Sequence, residues 1–128
     1  MTRVVADASV LAAVTFREPG YEPWARRLAG ALVFAPWLLQ FEMANIALKK
    51  TRKQPNDGVA ILTQLRAALD ATNGIQWTDV NLVDVVLVAQ ATGLTPYDAS
   101  YLWLAGSLGA DLVTLDTRLA AAGAAAII

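Results

Sequence analysis

Short apolar runs alternate with segments of helical periodicity along all 128 residues of this chain. This alternation predicts an α/β fold, in which helices connect parallel strands and cover both faces of one sheet. Strands are expected at Val4–Ala6, Leu32–Ala35, Ile75–Trp77, Leu112–Leu115 and, as a possible fifth, Ala125–Ile127. No linker or internal repeat interrupts the pattern, so we expect a single domain over residues 1–128.

The expected helices are bounded by residues that commonly start or end them. Pro96 in the first turn and Gly109 after the last delimit Thr95–Leu108, and Gly93 ends Val80–Thr92. The other helices are expected at Ala8–Val14, Pro23–Ala29, Trp37–Arg52, Val59–Ala71 and Thr117–Ala122. The four tryptophans lie among apolar residues, so we expect them in the core or an interface rather than stacked on nucleobases: Trp24, Trp37, Trp77 and Trp103.

The residue types that are missing restrict the possible chemistry. The chain has no cysteine, which excludes disulfides and thiolate metal sites and is consistent with a reducing cytoplasm. It also has no histidine, the commonest general base and a usual zinc ligand. Catalysis must therefore use carboxylates, hydroxyls, amines or amides, and any metal would be oxygen-ligated, such as Mg²⁺ or Mn²⁺.

Charge limits the possible partners. The net charge of −1 excludes a globally basic nucleic-acid-binding protein, so a polyanion would need a local basic patch. Charged residues make up only 16% of the chain, against about a quarter in typical soluble domains. This deficit predicts apolar surface that a second copy or another protein covers. The most apolar runs, Ala31–Phe41 and Ala99–Ala110, are too short to span a membrane.

Four acidic residues occupy positions suited to a shared site. Asp7 and Asp116 directly follow the first and fourth predicted strands, and ligands of open α/β sheets bind at the carboxyl ends of strands. Glu42 lies within a largely apolar helix, on one face with Asn45 and Lys49, and Asp98 lies in the first turn of another helix.

Each acid also has a purely structural interpretation. Asp7 and Asp116 are suitable N-caps for the helices that follow them. Asp98 completes a capping box with Thr95, and Glu42 could pair with a neighbour on the helix surface. Asp79 also follows a strand, and we expect it to be only a helix cap.

Four segments together resemble the PIN-domain nucleases, and most of all the short VapC-type toxins of toxin–antitoxin pairs. They extend in order over essentially the whole chain: Val4–Ser9, Phe41–Asn45, Gly93–Tyr101 and Leu112–Leu119. The resemblance implies a three-layer α/β/α sandwich whose sheet has the order 3-2-1-4-5, which would place Asp7 beside Asp116. It assigns Mg²⁺ or Mn²⁺ to the acidic cluster of Asp7, Glu42, Asp98 and Asp116, with support from the hydroxyls of Ser9 and Thr114 and the amide of Asn45.

The resemblance further implies a metal-dependent endoribonuclease. Metal-activated water would attack the phosphorus and expel the 3′-oxygen, leaving a 5′-phosphate. It also implies a cognate antitoxin of the VapB type that holds the toxin inactive, and a homodimer. The basic residues that could contact RNA are Lys49, Lys50, Arg52, Lys53, Arg17 and Arg118, although the first four also suit a helix C-terminus without any ligand.

Two other functions remain open. An aspartate after the first strand is also typical of phosphatases and phosphoacceptor domains, which would use Asp7 as a nucleophile. Haloacid-dehalogenase-type phosphatases need a second acid two residues later, where this chain has Ser9. Response-regulator receivers need an acidic pair at the first strand and a lysine after the last. The third possibility is a binding module that keeps the PIN fold without its activity.

Overall fold

A parallel sheet forms the centre of the computed structural model, which describes residues 1–70 and 73–126. Its strands are β1 (Thr2–Ala6), β2 (Ala31–Pro36), β3 (Ile75–Thr78) and β4 (Asp111–Val113). The helices are α1 (Ala8–Thr15), α2 (Glu22–Ala29), α3 (Leu38–Lys53), α4 (Gly58–Leu69), α5 (Leu82–Thr92), α6 (Pro96–Leu108) and α7 (Thr117–Ala126), with a 3₁₀ turn at Pro55–Asp57.

The strands of the described residues lie in the order β3-β2-β1-β4, and every pairing is parallel. In the centre, Val5 of β1 lies opposite Phe34 of β2 and Leu112 of β4. This order confirms that β1 and β4 are neighbours. The residues that follow them, including Asp7 and Asp116, therefore leave the sheet at the same edge.

Both faces of the sheet are buried. Along β1, Val4 and Ala6 belong to one apolar cluster and Val5 belongs to another, as the alternation of side chains in a strand requires. The first cluster includes Trp24 and Leu28 of α2, whereas the second contains buried residues of α3, α5, α6 and α7. Helices on both faces confirm the predicted α/β/α sandwich and explain why the last three residues of β1, Val4 to Ala6, are all apolar and buried.

The structure corrects some predicted element ends. The prediction of a possible fifth strand at Ala125–Ile127 was wrong for its first two residues, because they form the end of α7. Its last residue, Ile127, lies outside the described residues. Alanine has the highest helix propensity, so the alanine-rich segment extends α7 instead. Strand β4 ends at Val113, two residues earlier than predicted. The end predicted for α4 at Ala71 also lies outside the described residues, and α4 ends at Leu69.

The predicted helix cap at Asp79 was also wrong. Helix α5 begins two residues later than expected, and its N-cap is Asn81, whose side-chain oxygen accepts a hydrogen bond of 3.1 Å from the backbone N–H of Asp84. Asp79 instead accepts a hydrogen bond of 2.9 Å from the indole N–H of Trp37. No helix within residues 1–70 and 73–126 has the length and apolar character that crossing a membrane requires.

Candidate active site

Asp7 is the most constrained carboxylate at the carboxyl edge of the sheet. It is only 6% exposed. Its Oδ1 accepts hydrogen bonds from the Ser9 hydroxyl at 2.6 Å and from the backbone N–H of Val10 at 3.3 Å, and its Oδ2 accepts one from the Thr114 hydroxyl. Asp7 is therefore the N-cap of α1, which was the structural role expected for it. It is also held by the hydroxyls of Ser9 and Thr114, the two that the family resemblance implied would support the acidic cluster.

The same two hydroxyls hold the loop that carries Asp116. Ser9 Oγ accepts a hydrogen bond of 2.9 Å from the backbone N–H of Leu115, and Thr114 Oγ1 accepts one of 3.0 Å from the backbone N–H of Asp116. Asp116 Oδ1 then accepts the backbone N–H groups of Arg118 and Leu119, at 2.9 and 3.0 Å, and so caps the start of α7. Backbone and hydroxyl contacts thus fix the ends of β1 and β4 to each other.

Glu42 reaches the site from α3 and is held by a residue of α6. The Tyr101 hydroxyl, on a side chain only 1% exposed, donates a hydrogen bond to Glu42 Oε1. Glu42 itself is partly buried. Burial raises its pKa and the Tyr101 hydrogen bond lowers it, while the charges of Asp98 and Asp7 raise it further, so the pKa lies above its usual value. Glu42 is therefore part of the acidic cluster and not a free residue of the helix surface.

Asp98 lies in the first turn of α6, where Thr95 Oγ1 accepts its backbone N–H at 3.2 Å. This is the Thr95 half of the expected capping box. The pKa of the Asp98 carboxyl is raised, first by burial and then by the charges of Asp116 and Asp7, while Arg118 lowers it. The charges of Asp98 and Asp7 thus act on Glu42, and those of Asp116 and Asp7 act on Asp98, so electrostatic interactions connect all four predicted acids.

The donor set of this cluster fits a hard divalent cation. Its carboxylate oxygens are the ligand type that Mg²⁺ and Mn²⁺ prefer. Burial raises the pKa values of Glu42 and Asp98, and repulsion by the neighbouring carboxylates raises them further. A cation offsets both effects. Within residues 1–70 and 73–126, no three acidic side chains stand close enough together to enclose an ion. The fit therefore rests on donor chemistry and charge.

The predicted basic residues divide into two groups. Arg118 lies at the site, since it lowers the pKa of Asp98 and donates a hydrogen bond of 2.6 Å from Nη2 to the Gly93 carbonyl. Lys50 is engaged elsewhere: it pairs with Glu18 at 2.9 Å and lies 5.2 Å from the centre of the Phe16 ring. The exposed remainder comprises Lys49, Arg52 and Lys53 near the end of α3, and Arg17 after α1.

Two contacts at this edge were not anticipated from the sequence. The first joins Tyr101 to Glu42. Tyr101 lies three residues after Asp98 on α6, and that spacing places them on one helix face and could have identified it. The second is the aromatic pair of Trp37 and Trp77. Trp37 is 50% exposed, so of the two places expected for it, the core or an interface, it does not lie in the core. Asn45 is exposed, one turn of α3 beyond Glu42.

Comparison with known proteins identifies relatives over nearly the whole chain. A family model described as PIN domain matches residues 4–125. Ribonuclease VapC3 of Pyrobaculum aerophilum is 31% identical over 122 residues, which cover 92% of this chain and 92% of the relative. Exonuclease VapC9 of the same organism is 32% identical over 117 residues, with 91% and 83% of the two chains covered.

Solved structures support the same relationship. The crystal structure of PAE2754 from Pyrobaculum aerophilum has a TM-score of 0.77 and 30% identity, covering 94% of this chain and 84% of the other. VapC20 of Mycobacterium tuberculosis, described as a sarcin-ricin loop cleaving toxin, has a TM-score of 0.64 and covers 94% and 95% of the two chains. At 15% identity, this second likeness concerns the fold alone.

Proposed function

The chain belongs to the PIN-domain family, and from that premise we propose that it is a metal-dependent endoribonuclease of the VapC toxin type. The observation that carries the proposal is that four acids, Asp7, Glu42, Asp98 and Asp116, interact at one edge of the sheet: burial first, and then the charges of the neighbouring acids, raise the pKa values of Glu42 and Asp98. The relatives named ribonuclease and exonuclease support phosphodiester cleavage as the reaction.

In the proposed mechanism, the four carboxylates would hold Mg²⁺ or Mn²⁺. The ion, when bound, would supply positive charge that polarises the phosphoryl group and lowers the pKa of water. Ser9 and Thr114 keep the carboxylate of Asp7 in place, because they donate to its two different oxygens. Tyr101 similarly orients Glu42 by occupying one of its oxygens. Water adds to phosphorus, the bond to the 3′-oxygen breaks, and the products are a 5′-phosphate and a 3′-hydroxyl.

Arg118 is proposed to contact the RNA phosphate. Its hydrogen bond to the Gly93 carbonyl fixes the guanidinium near Asp98, and the remaining N–H groups are suited to phosphate oxygens. Lys49, Arg52 and Lys53 are proposed to contribute at longer range. Lys49 lies seven residues beyond Glu42 on α3, about 10 Å along the helix axis.

The phosphatase alternative is disfavoured by the surroundings of Asp7. A nucleophilic aspartate needs an exposed carboxylate oxygen, but Asp7 is 6% exposed and both of its oxygens accept hydrogen bonds. A stable phosphorylated adduct on Asp7, detected by mass spectrometry after incubation with phosphate esters, would favour that alternative over the nuclease.

The partners proposed for this chain are RNA, a VapB-like antitoxin and a second copy of itself, and the proposed location is the cytoplasm. The low charged fraction of 16% supports the proposal that another chain covers part of the surface. Helix α5 supports it too, because four of its large apolar side chains are exposed, namely Leu82, Val83, Val86 and Leu87.

The test compares closed circular RNA with end-labelled linear RNA, each with Mg²⁺, Mn²⁺ or EDTA. An endonuclease opens the circle, an exonuclease degrades only the linear RNA, and EDTA abolishes either activity. An Asp7→Asn protein purified identically reveals contaminating nuclease. Opening of the circle by the wild type alone is the expected result. Failure to cleave either RNA, by protein freed of any bound protein under denaturing conditions and refolded, would contradict the proposal.

A further inference from the structure

Two tryptophans pack against each other at the carboxyl edge of the sheet. Trp37 directly follows β2 and stacks on Trp77 of β3, with ring centroids 6.0 Å apart and an interplanar angle of 24°. The indole N–H of Trp37 donates to Asp79 at 2.9 Å, which fixes the rotation of the ring. Half of the Trp37 surface nevertheless remains exposed.

The pair lies at the same edge of the sheet as the carboxylates. Strand β2 is the neighbour of β1, with Val5 opposite Phe34, so Asp7 follows β1 at the level of Pro36, the residue before Trp37. Adjacent strands are about 4.8 Å apart. Helix α3 begins after Trp37 and carries Glu42 five residues, about 1.4 turns, beyond it. On this helix, Phe41 is 77% exposed and directly precedes Glu42.

We propose that the Trp37–Trp77 pair is a stacking site for one unpaired nucleobase of the RNA substrate. The inference rests on the proposed ribonuclease function and adds the part of the substrate that this edge recognises. The carboxylates and their cation act on the phosphate, whereas the indole ring binds the base of a neighbouring nucleotide. Phe41 is the exposed aromatic residue four positions after Trp37, a spacing that places two residues on one side of a helix.

The properties of the pair favour a nucleobase as its occupant. Single-stranded RNA is recognised mainly by stacking of splayed bases on aromatic side chains, and the contact tolerates any base. A ring already held by a hydrogen bond and by a second ring loses little conformational freedom when a base stacks on it. A substrate duplex would hide its bases from this surface, so the site selects cleavage in loops or single strands.

The test varies protein and RNA together. Single-stranded oligoribonucleotides carry one abasic nucleotide, moved one position at a time away from the cleaved bond. For each oligomer, KM and kcat are measured with wild type, Trp37→Ala and Trp37→Phe. Binding affinities are measured with the same three proteins carrying Asp7→Asn in addition, so that the RNA is not cleaved. Val59→Ala, which shortens a side chain that is 83% exposed on α4, is the control for loss of exposed apolar surface.

With intact RNA, Trp37→Ala should weaken binding and raise KM roughly tenfold, with kcat changed much less, because one stacked base is lost. Trp37→Phe should restore most of the affinity, and Val59→Ala should behave as wild type. At one abasic position, wild type should bind the abasic RNA more weakly than the intact RNA. Trp37→Ala should bind the two RNAs with the same affinity. That non-additivity identifies the base that Trp37 contacts.

The opposing outcomes are separable. If wild type cleaves RNA and Trp37→Ala binds every oligomer as tightly as wild type does, the stacking site is overturned and the nuclease stands. Equal penalties at every abasic position would likewise overturn it. If Trp37→Ala leaves RNA binding unchanged but weakens self-association in sedimentation, the pair is a protein contact instead. If wild type neither binds nor cleaves any oligomer, both proposals fail.

Discussion

The four carboxylates of the site fall into two pairs that are held differently. Asp7 and Asp116 follow strands, and their oxygens accept hydrogen bonds from backbone N–H groups, with two hydroxyls added at Asp7. Glu42 and Asp98 come from helices. Glu42 accepts one hydrogen bond, from Tyr101, and within residues 1–70 and 73–126 none is donated to the Asp98 carboxylate.

This difference shows which part of the site the fold fixes. The carboxylates after the strands also act as helix caps, so they stabilise the fold without any ligand. The carboxylates on the helices are partly buried beside other negative charges, and the pKa values of both are raised. We therefore expect the strand pair to contribute to stability and function, and the helix pair to reduce stability until a cation is bound.

The largest expected effect is on cleavage. Asp7→Asn and Asp98→Asn should each lower kcat/KM by more than about a hundredfold, since even residues that only orient metal ligands contribute 10–100-fold. Their stabilities should differ. Asp7→Asn should lower the free energy of unfolding by about 1–2 kcal/mol, because the amide keeps only one accepting oxygen where two hydroxyls donate to the two oxygens of Asp7. Asp98→Asn should leave it unchanged or raise it.

Urea denaturation in EDTA, together with single-turnover cleavage in Mg²⁺, measures both quantities. If Asp98→Asn unfolds as easily as Asp7→Asn, the distinction between the two pairs is wrong. If Asp98→Asn keeps its activity, Asp98 does not belong to the site.

The hydroxyls that hold the strand pair should have the next largest effect. Ser9→Ala and Thr114→Val each remove a hydrogen bond to Asp7. We expect kcat/KM to fall about 10–100-fold, as for other residues that orient metal ligands. Tyr101→Phe is the matched change at the helix pair, because it removes the donor to Glu42 and keeps the buried ring. In all three variants, the affinity for Mn²⁺ should fall together with the rate of cleavage. If cleavage falls and the affinity for Mn²⁺ does not, these hydroxyls contact the substrate instead of positioning the carboxylates.

Much of this arrangement was predictable because it depends on local sequence. The apolar run before Asp7, the run before Asp116 and the capping sequence around Asp98 specify strand ends and a helix start without tertiary information. The Tyr101–Glu42 contact joins residues 59 positions apart on two helices, so it depends on how α3 packs on α6. The exposure of Trp37 depends on which residues happen to cover the end of β2, which periodicity does not encode.

A smaller effect concerns pH. In the folded protein the pKa values of Glu42 and Asp98 lie above their usual 4.5 and 3.8, so folding strengthens proton binding by both. The contribution of these groups to stability is therefore fully present below their unfolded pKa values and is lost as pH rises through the raised folded values. In EDTA, the urea concentration at the unfolding midpoint should fall as pH rises from the usual pKa values of 3.8 and 4.5 through the raised ones.

The control for this pH effect is Asp98→Asn, which removes one titrating group. Its urea midpoint should depend less steeply on pH than that of wild type. Saturating Mn²⁺ should also oppose the loss in wild type, because it stabilises the ionised carboxylates. An Asp98→Asn profile as steep as that of wild type would show that the helix pair does not titrate as described.

The smallest expected effect is at the end of α3. Lys49 is exposed, whereas Lys50 already pairs with Glu18 and lies near the Phe16 ring. Lys49→Ala should weaken RNA binding a few-fold and reduce its salt dependence by about one counterion. Lys50→Ala should change RNA affinity less and stability more. Affinities measured between low and moderate salt separate these two roles, and equal effects on RNA binding would show that both lysines face the RNA.

The central claim is that strand and helix carboxylates together form one divalent-cation site, and titration with Mn²⁺ tests it most directly. Free Mn²⁺ is measured by electron paramagnetic resonance at neutral pH for wild type, Asp98→Asn and the double variant Asp7→Asn/Asp116→Asn. The account predicts saturable binding by wild type, weaker binding by Asp98→Asn and loss of binding by the double variant. Undiminished binding by the double variant would place the metal elsewhere and contradict the account.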